Sequence, residues 1–435
     1  MLHSLTDGFF SSAVISYGGS PTDGGLPRLV VQRRPSLSPL IDDASTVGVI
    51  SPRIGPTSHV TAVSRARGIF CAAVSNGVFS EEMLTIDGVD LPEGCTAALT
   101  EDGLVTSAGL IRVQRRAITK VRADDCRRLG LRLYCNVNNE REAAMGLAAG
   151  ATGIGSVRSE HLSLEAGLRS LVVCYVTNLL CGRTTPDSII REVVSKWIHQ
   201  LTAVLDQAVA YCAPVAIRLA DISLPEWLDD EQLELVEAHG HQADQLRGIV
   251  LAEFAWPFYG NLLYAICKAI RRSGIPPREV AVIVPFVSNG GQVAAVSREL
   301  PKQAAAAGCE APPKLGVMIE TPAAALQASE LARLADWFIL GTNDLTALVT
   351  GISRDTALAL SSGLQVLFEV ERLLRIAISE GRRTKPSLTI GVCGESAANS
   401  DNLATFAALG VDFVSPVPRL ISRNAHDAYA ADVGV

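Results

Sequence analysis

The chain has 435 residues, of which 48% are hydrophobic and 19% are charged, and its formal net charge at pH 7 is −7. This length allows two or three domains with sizeable cores, and the composition is that of a globular protein. The negative charge argues against a general nucleic-acid-binding role. The ten cysteines form no CxxC pair, which favours buried thiols in a reducing cytoplasm over a disulfide framework. We therefore expect a cytoplasmic protein without a secretory signal, a membrane span or a nucleic-acid partner.

The first 112 residues contain short apolar runs separated by Gly, Pro and Ser, a pattern typical of β-strands joined by turns. Three of these runs are SSAVISYGG, LPRLVVQRR and STVGVISPR. After the third run the chain turns through Gly55-Pro56 and continues with helix-compatible residues as far as Gly68, a typical C-terminal stop. The sequence therefore predicts a β-rich first domain that contains a helix.

Thr57 and Ser58 stand where the cap of this helix is expected, so His59 falls in its first turn. The free backbone N–H groups and the dipole at a helix N-terminus favour an anion. An imidazole at this place is positioned to accept a phosphoryl group among hydroxyl and N–H donors. The alternative is a histidine that only packs in the capping region.

Residues 113–129 are rich in Arg and Lys at helical spacing and contain no aromatic residue, which predicts a solvated linker helix. From residue 130 onward, short apolar runs alternate with helical segments, the βα pattern of a parallel barrel. A (β/α)8 barrel needs eight strands, and the chain offers nine candidates, of which GIVLA is the weakest. The nine runs are LRLYCNV, ATGIGSVR, APVAIRLAD, GIVLA, VAVIVPFV, LGVMIE, WFILGTN, LTIGVC and VDFVSPVP.

Two of these runs lead into a carboxylate. Glu320 closes the run in LGVMIETP, and Asp344 follows the run in WFILGTNDL. Parallel barrels carry their active sites at the C-terminal ends of their strands. Two carboxylates on neighbouring strands form a hard-oxygen pocket suited to Mg²⁺, which takes one or two carboxylates, substrate phosphate and water. The alternative is that both are strand-end caps.

Other strand ends carry residues suited to an anionic substrate. Arg158 ends the run in GIGSVR, and Arg218 lies in VAIRLAD. Two arginines that converge on one mouth would form a phosphate clamp, although a lone strand-end arginine is as often a surface ion-pair partner. The triplet Gly341, Thr342 and Asn343 offers amides and side chains for a substrate carboxylate or enolate oxygen.

The run TIGVC ends in Cys393. A thiol whose pKa in water is near 8.5 is able to deliver a proton near neutral pH. Most free cysteines are buried small hydrophobes, and we expect this of the other nine.

These segments together resemble the phosphoenolpyruvate-utilising enzymes, which include pyruvate phosphate dikinase, phosphoenolpyruvate synthase and enzyme I of the sugar phosphotransferase system. MIETPAAAL and FILGTNDLT are similar to the paired signature of that family, and TSH before a small-residue helix is similar to its phosphohistidine loop. GIGSVRSEH is similar to the element GIGLxRTEH, and VAIRLADISLPEWL to the dikinase IRLLDPPLHEFL. SRDT at 353–356 is similar to a dikinase SRDD element, which implies that Arg354 lies near the same rim.

The resemblance implies a swivelling β/α phosphohistidine domain over residues 1–112, the linker helix over 113–129, and a phosphoenolpyruvate/pyruvate-binding TIM barrel over 130–435. It implies a Mg²⁺-dependent phosphotransferase that moves a phosphoryl group between phosphoenolpyruvate and His59, with pyruvate as co-product. In that activity the two arginines hold the phosphate, Glu320 and Asp344 hold Mg²⁺, and the strand-end cysteine protonates the enolate carbon.

The resemblance also implies a homodimer formed through the barrel. Dikinases and synthases carry an ATP-grasp domain before this pair of domains, and we do not expect one in this chain. We therefore expect a separate ATP-binding subunit, a carrier protein or a small-molecule acceptor to fill or empty the phosphohistidine. Two residues depart from the family pattern: Pro56 replaces a glycine before TSH, and Ser396 replaces the histidine of CGEHGG. The alternatives are a barrel enzyme with carbon–carbon or carbon–phosphorus chemistry that does not use His59, and a non-catalytic regulatory paralogue.

Overall fold

The computed structural model describes residues 2–4, 10–17, 27–32, 44–52, 54, 59–75, 77–79, 83–100, 102–114, 120–164, 167–352 and 366–422. The chain divides into two compact units, the first formed mostly by residues 1–117 and the second by residues 118–349 and 364–435. Among the helices of the described ranges, none combines the length and the apolar character that a membrane crossing requires.

The first unit is built on a closed barrel of eight strands, with both parallel and antiparallel neighbours. Around the ring they are β1 (Leu2–Ser4), β11 (Gly109–Gln114), β10 (Gly103–Thr106), β9 (Thr96–Leu99), β2 (Ala13–Tyr17), β3 (Arg28–Val31), β4 (Thr46–Ser51) and β5 (Phe70–Val74). The ring closes because β5 pairs antiparallel with β1. A separate antiparallel sheet contains β6 (Gly77–Phe79), β7 (Met83–Ile86) and β8 (Val89–Pro92).

Apolar side chains of several strands fill the interior of this barrel. Leu29, Ile50, Phe70 and Leu104 are fully or almost fully buried in one core cluster. Helix α1 (His59–Arg67) joins β4 to its parallel neighbour β5, as a parallel pair requires a crossover connection. The described residues therefore have the predicted β-rich pattern with a helix, whereas their identity as a swivelling phosphohistidine domain stays a prediction.

The second unit contains a ring of parallel strands, so the predicted parallel barrel is confirmed. The strands are β13 (Arg132–Leu133), β14 (Cys135–Val137), β15 (Ile154–Arg158), β16 (Val215–Arg218), β17 (Val280–Val284), β18 (Lys314–Ile319), β19 (Trp337–Gly341), β20 (Thr389–Cys393) and β21 (Phe413–Ser415). Only Tyr134 separates β13 from β14, so these two segments act as one strand. Because β13 pairs with β21 and β14 pairs with β15, the ring has eight strands.

Helices follow most of these strands and cover the ring. They are α2 (Ala123–Arg128), α3 (Glu140–Ala148), α4 (Ser159–Leu162), α5 (Leu168–Leu180), α6 (Asp187–Ala210), α7 (Leu224–Trp227), α8 (Asp230–Ala238), α9 (Gly248–Ala252), α10 (Trp256–Ser273), α11 (Gly290–Ala307), α12 (Pro322–Leu326), α13 (Ala328–Leu334), α14 (Thr342–Thr350), α15 (Phe368–Thr384) and α16 (Leu403–Leu409). Local sequence explains several ends: α11 starts with a capping box between Asn289 and Gln292 and stops at Gly308 in the left-handed conformation. A short parallel pair, β12 (Val121–Arg122) and β22 (Ile421–Ser422), lies outside the ring.

Two expectations about the barrel and the segment before it need correction. GIVLA is helix α9 and not a strand, which leaves the other eight predicted runs as the barrel. Periodicity cannot separate a short buried helix from a short buried strand, because both are continuously apolar. The linker helix predicted over 113–129 is limited to α2, since β11 extends to Gln114 and β12 precedes the helix; residues 115–119 lie outside the described ranges.

Aromatic side chains fill part of the interior of the parallel ring. Phe413 stacks on Tyr134 with ring centroids 4.2 Å apart, and Trp337 lies 5.7 Å from Phe413 on the other side. Gly391 makes room for this stack, because a Cβ there would overlap the Phe413 ring. The interior is thus a packed core, and the open chemistry is left to the ends of the strands.

Candidate active site at the carboxyl end of the barrel

The parallel ring brings five predicted site residues to one end. Arg158 and Arg218 are the last residues of β15 and β16, and Cys393 is the last residue of β20. Glu320 directly follows β18, and Asp344 lies in the first turn of α14, directly after β19. Residues predicted from separate motifs therefore share one mouth, which we call the barrel mouth.

Arg218 is buried and bound by two carboxylates. Its Nη2 donates to Oε1 of Glu160, and its Nη1 lies 3.3 Å from Oδ2 of Asp221. The Arg218 Nε is buried and has no hydrogen-bond partner within the described ranges. A buried donor without a partner is costly, so this nitrogen is suited to receive a ligand oxygen.

Arg158 and Arg218 carry positive charges that act on each other. Burial, followed by the positive charge of Arg218, lowers the pKa of Arg158. An anion bound between the two guanidinium groups would remove this repulsion. Arg158 is therefore the guanidinium on this side of the barrel mouth whose charged form a phosphate or a carboxylate would stabilise.

Arg247 is the largest addition to the site that the sequence interpretation missed. It precedes α9, and its Nε and Nη2 donate to Oδ1 and Oδ2 of Asp221 at 2.9 and 2.8 Å. Its Nη1 and Nη2 also donate to Oδ1 and Oδ2 of Asp344 at 2.8 and 3.1 Å. The only local signal was an arginine directly before a glycine, Gly248, which has φ +53°. That signal is not specific.

Glu320 is a buried carboxylate that needs a proton or a cation. Its Oε1 accepts a hydrogen bond of 2.7 Å from the backbone N–H of Phe286. Burial, followed by the negative charges of Asp344 and Asp221, raises the pKa of Glu320 to about 8. Phe286 itself has φ +53°, an unusual conformation for a side chain of this size, and its ring lies 4.6 Å from the guanidinium carbon of Arg247.

The two predicted metal ligands, Glu320 and Asp344, supply negative charge suited to a magnesium ion but do not fill its coordination sphere. Within the described ranges, no group of three or more His, Cys, Asp and Glu side chains could hold a metal ion. Mg²⁺ usually takes only one or two carboxylates and completes its octahedron with water and substrate phosphate. The raised pKa of Glu320 beside a second carboxylate is what a site for such a cation would show before the cation binds.

The GTN triplet is tied to the loop after β20. Asn343 Oδ1 accepts from the backbone N–H of Glu395 at 3.0 Å. Thr342 Oγ1 lies 3.1 Å from the carbonyl oxygen of Cys393 and 2.6 Å from Oγ of Ser396. Gly394 between them has φ +108°, and a Cβ there would lie 2.7 Å from both Asn343 Oδ1 and Thr342 Oγ1. The two strand ends are therefore locked in one arrangement.

The thiol of Cys393 is buried in this arrangement. Burial, followed by the negative charge of Glu320, raises the pKa of Cys393 to about 12. The sulfur is therefore a protonated thiol near neutral pH, which is the form that a general acid needs, and not a thiolate. Gly341 pairs with Cys393 on the neighbouring strand. Because Gly341 has no side chain, Glu320 can lie close to its backbone; a Cβ at Gly341 would be 2.7 Å from Cβ of Glu320.

The remaining predicted residues belong to other parts of the chain. Thr57, Ser58 and Arg354, together with Pro56, lie outside the described residues. His59 is the first residue of α1 in the first unit, in agreement with a position in the first turn of a helix.

A family model and the curated relatives of this chain both indicate PEP-utilising enzymes. The model for the PEP-binding domain of PEP-utilising enzymes matches residues 111–431. Pyruvate, phosphate dikinase 1 of Arabidopsis thaliana is 27% identical over 431 residues, covering 85% of this chain and 43% of that protein. The corresponding dikinase 1 of Zea mays is 28% identical over 426 residues, covering 86% and 44%. The dikinase of Rhizobium meliloti is 27% identical over 443 residues, covering 87% and 47%.

The chain spans slightly less than half the length of the curated relatives that it matches. The family model, by contrast, extends over most of this chain and includes every strand of the parallel barrel. This chain belongs to the family of PEP-utilising enzymes.

Proposed function

We propose that the chain is a Mg²⁺-dependent phosphotransferase that moves a phosphoryl group between phosphoenolpyruvate and His59, with pyruvate as co-product. The observation that carries this proposal is the barrel mouth, where two arginines, two carboxylates and a buried thiol lie at the ends of neighbouring strands. Phosphoryl transfer leaves little covalent work to the protein, so positioning and charge neutralisation carry the rate.

Arg158 and Arg218 are the proposed phosphate ligands. The Arg218 Nε offers a buried donor, and a phosphate would oppose the burial and the positive charge of Arg218 that together lower the pKa of Arg158. Guanidinium groups match phosphate oxygens in two-point contacts, which fixes the direction of the phosphoryl group as well as its place. Arg354 is proposed to extend this set at the rim.

Glu320 and Asp344 are the proposed magnesium ligands. When bound, Mg²⁺ would supply positive charge that neutralises the negative charge of the substrate. The carboxyl group of Glu320 must lose its proton before it can serve as a ligand, and a bound cation would oppose the burial and the negative charges of Asp344 and Asp221 that raise its pKa.

Asn343 and Cys393 are the proposed contacts of the pyruvate moiety. Because the Asn343 carbonyl oxygen is held by the Glu395 N–H, its amide N–H groups are left to donate to a substrate carboxylate or enolate oxygen. The Cys393 thiol donates its proton to C3 of the enolate, which forms the methyl group of pyruvate, and the reverse reaction returns the proton to sulfur. Thr342 contacts Cys393 and Ser396, so its role is to position this loop.

The other partners follow from the role of His59. A phosphohistidine filled from phosphoenolpyruvate must pass its phosphoryl group to a separate protein or small-molecule acceptor, or receive it from one. The homodimer through the barrel and the cytoplasmic location stay predictions of the sequence.

The direct test is to incubate the protein with Mg²⁺ and phosphoenolpyruvate that carries a labelled phosphoryl group. We expect acid-labile label on His59 and release of pyruvate. His59→Ala should abolish the label but keep the binding of oxalate, a mimic of the enolate, at the barrel mouth. His199→Ala, which alters an exposed histidine of α6, is the matched control and should label normally.

Label that survives in His59→Ala would contradict the assignment of the phosphohistidine. Pyruvate formation without any labelled protein would instead favour a barrel enzyme that does not use His59.

A further inference from the structure

Arg247 lies at the centre of the negative charge of the barrel mouth. Its guanidinium group binds both oxygens of Asp344 and both oxygens of Asp221, with four donor–acceptor distances between 2.8 and 3.1 Å. The Asp221 side chain is fully buried, and the side chains of Arg247 and Asp344 are 16% and 8% exposed. A planar guanidinium in this position neutralises two buried carboxylates at once.

This arrangement occupies the oxygens that a divalent cation would need. Both oxygens of Asp344 accept from Arg247, and Oε1 of Glu320 accepts from the Phe286 N–H. Mg²⁺ binds carboxylate oxygens at close range and carries its own charge, so it cannot share these Asp344 oxygens with a guanidinium at no cost. Direct coordination by Asp344 therefore competes with this ion pair, because two cations would act on one carboxylate.

We propose that Arg247 is a placeholder cation: it neutralises Asp344 before the divalent cation binds and releases Asp344 when the cation arrives. This inference rests on the magnesium site of the proposed function. Arg247 is thus a positioning residue that sets the affinity for the cation, because binding must break its pair with Asp344.

Arg247 has a second anchor that keeps it in the site after the release. Its two-point pair with Asp221 involves Nε and Nη2 and does not depend on Asp344. The face of the Phe286 ring, 4.6 Å from the guanidinium carbon, holds the other side of the group. The release therefore requires the Asp344 carboxylate to turn away from Nη1 and Nη2, while Arg247 stays on Asp221.

The test measures the binding of Mn²⁺ alone, by the electron paramagnetic resonance signal of the free ion, in wild type, Arg247→Met and Arg247→Lys. The loss of one charge-assisted hydrogen-bonded pair changes an affinity by about tenfold to a hundredfold. Arg247→Met removes the pair with Asp344, so we expect this variant to bind Mn²⁺ tighter than wild type by about that factor. Arg247→Lys should also bind tighter than wild type, because an ammonium group lacks the fork that holds both aspartates together.

The lysine variant separates displacement from the general effect of a nearby charge. If only the positive charge of Arg247 mattered, Arg247→Lys would bind Mn²⁺ as wild type does, and that result would overturn the inference. Arg382→Met removes a partly exposed arginine that pairs with Asp412 on the outside of the barrel, and it should bind Mn²⁺ as wild type does. Arg247→Lys also keeps the test decisive if Arg247→Met does not fold.

The two assignments fail in different ways. Equal and measurable affinities in wild type and both Arg247 variants would overturn the placeholder role and leave the metal site standing. The absence of Mn²⁺ binding in all three proteins, with oxalate present, would overturn the metal site itself.

Discussion

The two barrels of this chain are both closed rings of eight strands, but their strands run differently. In the first unit parallel and antiparallel neighbours are mixed, so strand ends of opposite polarity meet at each edge. In the second unit all strands are parallel, and Arg158, Glu320 and Cys393 reach one end although they are far apart in sequence. Direction of the strands, rather than closure of the ring, is what gathers reactive side chains into one place.

Both barrels bury an apolar core, but the second also buries a cluster of paired charges at one end. The core cluster of the first is apolar, with Leu29, Ile50 and Phe70 among its members. The barrel mouth of the second buries Asp221, Glu320 and Arg218, each of which loses hydration that only its partners restore. Buried charges of this kind with shifted pKa values are typical of sites that bind or transform ligands. The assignment of His59 in the first unit has no such buried charges behind it and is based only on its place at the start of helix α1.

The largest effect is expected from Cys393→Ala, which tests whether a residue of the parallel barrel protonates the enolate. Cys393→Ala should lower kcat for pyruvate formation by about 10²–10⁴-fold, the usual range for the loss of a general acid. Binding of oxalate should change little, because the proton matters in the transition state and not in the ground state. Steady-state kinetics and calorimetry with oxalate measure the two quantities.

Cys267→Ala is the control for this variant, since Cys267 is a buried thiol in α10 away from the strand ends. It should keep the wild-type kcat. Equal losses of oxalate affinity and kcat in Cys393→Ala would identify Cys393 as a packing residue and weaken the contrast between the two barrels.

A smaller effect is expected from the backbone that locks the strand ends. Gly394→Ala would place a methyl group 2.7 Å from Asn343 Oδ1 and Thr342 Oγ1 and would also force a side chain into φ +108°. Displacement of the catalytic loop by a fraction of an ångström should lower kcat/KM by about tenfold to hundredfold.

Gly410→Ala is the matched control, because Gly410 also has a positive φ of +83° but nothing lies within 4 Å of its added Cβ. It should cost only about 1 kcal/mol of stability, from the left-handed conformation alone, and leave kcat/KM unchanged. Similar kinetic losses in both variants would mean that strain in general, and not the loop after β20, controls the reaction.

The smallest effect concerns stability and pH. The pKa of Glu320 in the folded protein is raised to about 8, by burial first and then by Asp344 and Asp221, from about 4.3 in an unfolded chain. Its proton therefore stabilises the folded state fully below about pH 4, and this contribution is lost as the pH rises toward and through 8. Chelator-treated wild type should lose melting temperature over this window.

Glu320→Gln removes the titration, so its melting temperature should fall less than that of the wild type between pH 5 and 9, by several degrees, because losing a proton held with a pKa of about 8 costs on the order of a few kcal/mol. Scanning calorimetry across this range measures the difference. Parallel pH profiles of wild type and Glu320→Gln would show that Glu320 is already ionised in the folded protein. That outcome would remove one of the observations that support a cation site at the barrel mouth.

Much of the second barrel was predictable from local patterns. The alternation of apolar runs with helical segments predicted a parallel barrel, and the residues at the ends of the runs included Arg158, Arg218, Glu320 and Cys393. This succeeds because strand direction and side-chain period are local properties, and parallel strands then deliver their C-terminal residues to a common edge.

Only the tertiary structure decided how these residues pair. Arg247 and Asp344 are 97 residues apart, and Thr342 and Ser396 are 54 apart, so neither contact leaves a periodic signal in the sequence. The sequence shows that Ser396 replaces the histidine of the family pattern, but it does not show the hydrogen bond between Ser396 and Thr342. Contacts across the mouth depend on how eight separate strand ends and their loops come together when the ring closes, and no local preference of the chain encodes that arrangement by itself.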